Sequence, residues 1–471
     1  MRGVVSAGLP ALKAQRLVDL MALRVAPALA GALIAWSHLG SVGAAAIVLV
    51  SLFVGGSIAE RSTLPLHLMA GARVGLAVCG PLVGVAIAWL VCLAAGEPLP
   101  PGDVLPITIG ALLLLALGGW VKVLASEHMD ARVAVIGSAG FARDLATELE
   151  AADVGGYSVV GWIGQDEPCA GSAPLGWLSS MADLREAVLR YGIDLLVVAP
   201  PESPRADTEL ESYDQAAACL DLQVRMISAN QLYEELLGHV PLGTIDAAWF
   251  RYIMHPGFKA TPGALRRAFD LIVGALLAAV AAPILLVAMV AVKLNDGGPV
   301  LYRQRRLGAR GEPFDMIKLR TMGVDAEADG AARWSDSNDN RVTGAGRWLR
   351  RTHIDELPQL WNVLRGQMTL VGPRPERPEI AVELERRFRY YSRRSLVKPG
   401  LTGWAKVRCG YAGSESAKAW ELCHDLYYLK HRSLLADVLI LVQTGVEVTR
   451  DAHRALRAPM RRFILGEQPG V

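Results

Sequence analysis

Two adjacent carboxylates, Asp355 and Glu356, stand directly before an apolar stripe at helical spacing made by Leu357, Leu360, Trp361 and Leu364. Pro358 lies inside that stripe, and proline is tolerated only near a helix start, where its missing N–H breaks no ladder bond. The pattern predicts both acids at or near a helix N-terminus. Backbone N–H groups and the positive end of the dipole favour anions there, phosphates included. Acidic residues are also ordinary helix caps, and the local sequence by itself favours that plainer reading.

The surrounding basic residues shift the balance. Arg303-Gln304-Arg305-Arg306-Leu307-Gly308 is followed by a predicted strand carrying Lys318 and Arg320, then by Arg347, Arg350 and Arg351, and then by Gly372-Pro373-Arg374-Pro375. Arginine suits bidentate recognition of phosphate, and lysine acts as a point charge. Alternation along a strand would point Lys318 and Arg320 to one face. Arg374 is held stiffly between two prolines whose φ angles are fixed. The ordinary reading is a basic face resting on anionic headgroups, yet a rigid, aligned set suits a fixed anion site better than a fluid membrane contact.

Other motifs are weak or missing. Gly137-x-x-Gly140 opens a helix after a strand, but the dinucleotide pattern would need glycine at 139 and 142, and both are alanine. A tightly packed strand-to-helix turn is the favoured reading. No Y-x-x-x-K follows any tyrosine, and Walker A, H-E-x-x-H and D-x-D patterns are absent.

The elements that must position these residues follow from hydropathy. Apolar residues make up 52% of the 471-residue chain and net charge is only +2, which argues for membrane contact and against a field that attracts nucleic acid. Four candidate spans cover roughly 17–36, 39–58, 66–95 and 104–124, each near the ~20 apolar residues that cross a bilayer. Arg2, Lys13, Arg16, Arg61 and Lys122 place both ends of this block (1–130) in the cytoplasm. Residues 131–260 alternate strands and helices and predict a Rossmann-like parallel sheet. Another apolar run, 266–294, has Pro283 in its middle and basic residues at both ends. A proline mid-run breaks a helix, so the run reads as a re-entrant helix, a hairpin that enters and leaves on the cytoplasmic face, a straight span being the alternative. The part from 261 to 458 is expected to be a small mixed α/β domain. Residues 433–449 suggest a helix on the membrane surface or on the core, and 459–471 a tail. The cysteines form no C-x-x-C pair and read as unpaired thiols in a reducing compartment. The fold class expected is membrane α plus α/β.

Taken in order, several segments resemble the bacterial polyprenyl-phosphate sugar-1-phosphate transferases, the initiating enzymes of exopolysaccharide and O-antigen assembly. They are the apolar run with Pro283; Gly298-Pro299-Val300-Leu301-Tyr302-Arg303-Gln304-x-Arg306-x-Gly308; Lys318-x-Arg320-Thr321-Met322; Arg350-Arg351-Thr352-x-Ile354-Asp355-Glu356-Leu357-Pro358-Gln359-Leu360; Leu370-Val371-Gly372-Pro373-Arg374-Pro375-Glu376; and Pro399-Gly400-Leu401-Thr402-Gly403-Trp404. Asp425-Leu426-Tyr427-Tyr428 and Asp437 match the closing pattern. Four spans followed by a Rossmann-like domain match the long form of the family in architecture more than in sequence. His353, Asn340, Gly344 and Lys406 depart from it, Lys406 standing where glutamine is usual.

The resemblance implies that Asp355 is a nucleophile attacking the sugar-bearing phosphorus of a UDP-sugar and releasing UMP. Glu356 is implied to help hold Mg²⁺, and polyprenyl phosphate to accept the sugar phosphate. Arg303, Gln304, Arg306, Lys318, Arg320 and Arg374 are the expected phosphate or uridine contacts, with Asp425 a lesser, structural candidate. The catalytic part would sit on the cytoplasmic face of the inner membrane, in contact with lipid. Dimerisation is compatible with the sequence but specified by no residue, and neither the sugar nor any ligand of the Rossmann-like domain is named by it. The rivals are a nucleotide-sugar oxidoreductase or dehydratase and a non-catalytic scaffold of polysaccharide assembly.

Overall fold

The computed structural model describes residues 25–39, 45–52, 130–152, 156–164, 176–199, 224–245, 263–323, 341–410 and 415–465, with isolated positions among 85–92, 106–113 and 219–222 and at 249 and 326. The chain divides into two compact units, residues 1–238 and 239–471.

In the first unit, helix α1 (Ala26–Leu39) falls on the first predicted span and the helical residues 45–52 on the second. Most of the four-span block lies outside the described residues. At the positions described, Ala28, Ala35, Ala88 and Cys92 are buried with Val48, Leu52, Val85 and Ile107. Gly31 is a point of close approach, since a Cβ there would meet Leu52 Cδ1 at 2.1 Å. Leu29, Leu33, Trp36, Val50 and Leu113 are exposed.

The same unit holds β1 (Ala131–Ile136), α2 (Ala139–Ala151), β2 (Tyr157–Ile163), β3 (Gly176–Ser179), α3 (Leu184–Tyr191), β4 (Leu195–Val198) and β5 (Arg225–Ser228). The strands form a parallel sheet in the order β3-β2-β1-β4-β5. Alternation sends Val133, Val135 and Val197 to one face with Leu145 of α2, and Ala134, Ile136 and Val198 to the other with Leu184 and Val188 of α3. Both faces are covered, as a parallel sheet requires. The Rossmann-like expectation is met. In the Gly137–Gly140 turn, Ser138 Oγ accepts from Phe141 N at 3.4 Å, so the turn caps its own helix.

The second unit begins its described helices with α4 (Gly263–Asp296), 34 residues long. The expected interruption at Pro283 is not found: the helix runs through it. Inside the helix Pro283 gives up the hydrogen bond to the Ala279 carbonyl and its ring crowds that carbonyl, which bends a helix without having to end it. Both ends of α4 return to the same unit. Arg267 donates to the carbonyls of Val363 and Leu364 at 2.7 and 2.6 Å. Asp270 accepts from Thr369 Oγ1 at 2.9 Å and Leu370 N at 3.0 Å. Toward the other end, Ala288 and Val292 pack with Leu319 and Leu349. Arg266 pairs with Asp437 at 2.9 Å, so the basic pair read as a membrane flank is spent largely on internal contacts. The outward face of α4 is apolar, with Ile272, Leu276, Val280, Val287 and Leu294 exposed. Among the described residues this is the one helix long and apolar enough to cross a membrane.

After α4 come the antiparallel hairpin β6 (Leu301–Leu307) and β7 (Pro313–Leu319), then α5 (Gly344–Arg351), α6 (Leu360–Arg365), β8 (Thr369–Val371), α7 (Pro378–Arg387), β9 (Gly400–Thr402), α8 (Trp404–Cys409), α9 (Glu415–His431) and α10 (Leu434–Leu465). Strands β8 and β9 pair in parallel. A Cβ on Gly400 would lie 2.1 Å from Gly372 N; this close approach seats the Pro373-Arg374-Pro375 loop. Ala436, Leu439 and Ile440 are buried, so the helix read over 433–449 packs on the core. It continues to Leu465, past the point where the tail was expected to start.

Candidate active site

Asp355 and Glu356 lie in a 3₁₀ turn, Ile354–Gln359, that leads directly into α6. Pro358 sits in that turn, ahead of the α-helical ladder, where its missing N–H is tolerated. The chain enters through His353 in the left-handed region, φ 56°, a conformation that costs a non-glycine residue about 1 kcal/mol. That turn reverses the chain between α5 and α6 and sets the two acids on the inner side, where both are buried. Asn362, fully buried in α6, accepts from Ile317 N at 3.1 Å and donates to the Asp315 carbonyl and Gln367 Oε1, each at 2.8 Å. It locks α6 to β7 and so fixes Glu356 relative to Lys318. A lone polar residue inside the apolar run Trp361-Asn362-Val363 was the only sequence signal for that role.

The two carboxylates have opposite surroundings. Three cations converge on Glu356: Lys406 at 2.8 Å, and Lys318 and Arg374 at 3.5 Å each. Burial opposes ionisation of Glu356, yet Lys406, Lys318 and Arg374 outweigh it and hold the carboxyl well below the usual carboxylate range. Asp355 makes no hydrogen bond or ion pair among the described residues. Burial, with the neighbouring Glu356 charge, pushes its carboxyl up to about 6 against the pull of Lys318, Arg350 and Arg374. Lys318 is pushed down to about 8 by burial, partly offset by Glu356. Neighbouring carboxyls driven apart in this way have separate tasks: Glu356 is a fixed anion, and Asp355 is the uncommitted oxygen donor of the site.

The remaining predicted residues divide. Tyr302, Gln304 and Arg306 lie opposite Lys318, Met316 and Phe314 in the hairpin register and share their face. Arg306 donates to Gln304 Oε1 at 2.9 Å, to the Pro375 carbonyl at 3.1 Å and to Glu376 at 3.2 Å. The pair therefore braces the Pro373-Arg374-Pro375 loop. Arg303 is opposite Ile317, on the other face of the hairpin, and is exposed. Arg320 follows the end of β7 and turns to Gly298, where a Cβ would lie 2.0 Å from its Nη1. Lys318 and Arg374 thus meet the carboxylates directly, Gln304 and Arg306 support them through the loop, and Arg303 and Arg320 lie apart. Lys406 joins the site from α8. Its position stood out in the sequence as a departure, but nothing there placed it beside Glu356.

Beneath the loop is a buried charge network. Arg394 donates to the Arg374 carbonyl at 3.0 Å and pairs with Glu421 at 2.8 Å and Asp425 at 2.5 Å. Lys418 bridges Glu376 at 2.7 Å and Glu421 at 2.8 Å. Asp425 therefore holds the scaffold through Arg394. Among the described residues there is no group of three or more side chains able to cage a metal ion.

On the far side of α9, buried His424 bonds the Trp420 carbonyl at 2.8 Å and stands beside His239 and Cys409. Burial pushes its pKa down to about 3. Unfolded histidine titrates near 6.5, so between those values the unfolded state binds the extra proton and stability falls as pH drops below about 6.5. Acidification from pH 7 to 5 is expected to cost about 2 kcal/mol through this residue. Thermal melts of the wild type and His424→Gln across that range check it: the variant should show a shallower acid slope.

Residues 261–451 match the family described as bacterial sugar transferase. The UDP-glucose:undecaprenyl-phosphate glucose-1-phosphate transferase of Caulobacter vibrioides is 42% identical over 181 residues, 38% of this chain and 67% of that protein. The UDP-N-acetylgalactosamine-undecaprenyl-phosphate N-acetylgalactosaminephosphotransferase of Aeromonas hydrophila is 33% identical over 228 residues, 48% of this chain and 53% of the relative. The undecaprenyl-phosphate glucose phosphotransferase of Komagataeibacter xylinus is 42% identical over 186 residues, 38% of this chain and 35% of the relative. The matched stretch thus spans about half of the Aeromonas protein and a third of the Komagataeibacter protein. The family match over residues 261–451 contains Lys318, Asp355, Glu356, Arg374 and Lys406.

Proposed function

Because the chain belongs to the bacterial sugar transferases, we propose that it transfers a sugar-1-phosphate from a UDP-sugar to polyprenyl phosphate, releasing UMP and initiating an extracellular polysaccharide. The observation that carries this reading is the contrast within one dipeptide: Asp355 uncommitted, Glu356 held by three cations.

An Asp355 oxygen attacks the sugar-bearing phosphorus; the bond from that phosphorus to the bridging oxygen breaks, and UMP leaves with the electron pair. The aspartyl phosphosugar is then attacked at the same phosphorus by an oxygen of polyprenyl phosphate. The bond to Asp355 breaks, which regenerates the carboxylate and gives polyprenyl-diphosphate-sugar. Splitting one displacement into two is the gain from a carboxylate nucleophile. The Asp355 carboxyl, raised to about 6, is mostly ionised at neutral pH. Lys318 and Arg374 stabilise charge on the transferred group, and the Gln304, Arg306 and Arg394 contacts keep Arg374 in place, since phosphoryl transfer depends chiefly on positioning and charge.

Mg²⁺ fits the site in one manner. A hard cation that keeps several waters needs only one or two carboxylates plus substrate phosphate oxygens. Glu356, buried beside Asp355, is the carboxylate that would serve as one of its ligands. Bound there, the ion would neutralise diphosphate charge that repels the nucleophile.

The lipid acceptor explains the position of the site. With both ends of α4 tied to the catalytic unit and an apolar face outward, the helix is read as re-entrant, its ends on the cytoplasmic side of the inner membrane. The N-terminal block is read as four spans that anchor the same face. The test is a panel of UDP-sugars assayed for UMP release with and without polyprenyl phosphate. One sugar nucleotide should give lipid-dependent turnover; no UMP from any of them would remove the transferase reading.

A further inference from the structure

We infer that Lys406 is a built-in counter-cation that competes with the divalent ion for Glu356 and weakens metal binding at this site. The inference rests on the proposed metal role of Glu356 and goes beyond it, because it concerns how strongly this chain needs the metal.

The geometry is specific. Lys406 makes a shorter contact with Glu356 than Lys318 or Arg374 does, Nζ to Oε2 at 2.8 Å against 3.5 Å from Oε1 for each of the other two. Its ammonium is four-fifths buried, so water screens it poorly. It is fixed from below: α8 starts at Gly403 on the end of β9 and stops at Gly410, whose N–H closes onto the Lys406 carbonyl at 3.0 Å. Trp404, almost fully buried, anchors the same turn.

The charges balance without a metal. Asp355 and Glu356 contribute two negative charges, and the diphosphate of a sugar nucleotide adds two more. Lys318, Arg374 and Lys406 supply three positive charges at Glu356, and Arg350 acts on Asp355. These charges sum to zero with the donor bound, before any ion enters. A divalent ion at Glu356 meets a carboxylate already engaged through Oε2 and an ammonium a few ångströms away. A neutral side chain at 406 would remove that repulsion and free Oε2, while Lys318 and Arg374 would still compensate the buried Glu356 charge.

The experiment uses the full-length protein in detergent with Mn²⁺ as the metal probe, bound ion being followed by electron paramagnetic resonance in the presence of UDP, which supplies diphosphate oxygens without a sugar to transfer, and without lipid. Lys406→Gln is expected to bind Mn²⁺ at least about ten-fold tighter than the wild type, since a charge pair at such distances and intermediate dielectric is strong. Lys406→Arg, which keeps the charge, should match the wild type. In the UMP-release assay, half-saturating Mg²⁺ should fall by a similar factor for Lys406→Gln alone. Circular dichroism melts confirm that the variants are folded. Equal Mn²⁺ affinity in wild type and Lys406→Gln overturns the inference while leaving the metal role of Glu356 intact. Binding by both that survives Glu356→Gln overturns the inference and that role together, as does the absence of binding in every variant.

Discussion

Asp355→Asn is expected to lower UMP release from the donor by about a thousand-fold or more, the scale on which loss of a nucleophile acts, and to leave the fold intact. The two halves of that expectation have separate causes. The amide is a poor nucleophile, so the covalent route closes. Yet the Asp355 carboxylate gives up no hydrogen bond or ion pair among the described residues, and burial already disfavours its charge. Thermal stability should therefore stay level or rise slightly. A large loss of stability would show that Asp355 holds the structure and does not serve as the free group of the site. Full activity in the variant would remove Asp355 from the chemistry.

Arg394→Met is expected to act in the opposite manner, costing about 3–5 kcal/mol of stability, the range for breaking a buried pair from one side. Its guanidinium is the partner of Glu421 and Asp425, bonds the Tyr391 hydroxyl at 2.6 Å and supports the Arg374 carbonyl. Methionine fills similar volume and leaves two buried carboxylates facing each other. Chemical denaturation measures the loss. Adding Glu421→Gln should recover part of it, because the double variant removes one of the stranded charges. Where folded protein is obtained, donor affinity should weaken more than turnover, since Arg374 would lose its support from below.

The sequence and the structure agree where local physics dominates. The unbroken apolar runs at 133–136 and 195–198 face two covered sides of a sheet, the pattern of strands buried on both faces. Strands β3 and β5 went unread because four-residue segments such as Arg225-Met226-Ile227-Ser228 carry too little pattern. Asp355, Glu356 and Pro358 were placed at a helix start, and a 3₁₀ turn before α6 is what a proline and two acids allow. The failures have physical causes as well. Pro283 reads as a helix breaker, but the helix continues through it, because the apolar ladder on either side outlasts the loss of one hydrogen bond. Arg266 was read as a membrane flank because its partner, Asp437, lies far along the chain. Long-range pairing also hid Lys406, which reaches Glu356 across 50 positions, and separated Arg303 from Arg306, which a hairpin sends to opposite faces.

The central claim is that Asp355 carries the sugar phosphate covalently. It is tested most directly by intact-protein and peptide mass spectrometry after incubation with the UDP-sugar and Mg²⁺ but no lipid acceptor. The account predicts one added sugar phosphate on the peptide containing Asp355, matched by one equivalent of UMP and discharged when polyprenyl phosphate is supplied. No adduct, with UMP appearing only when donor and acceptor are both present, would contradict it.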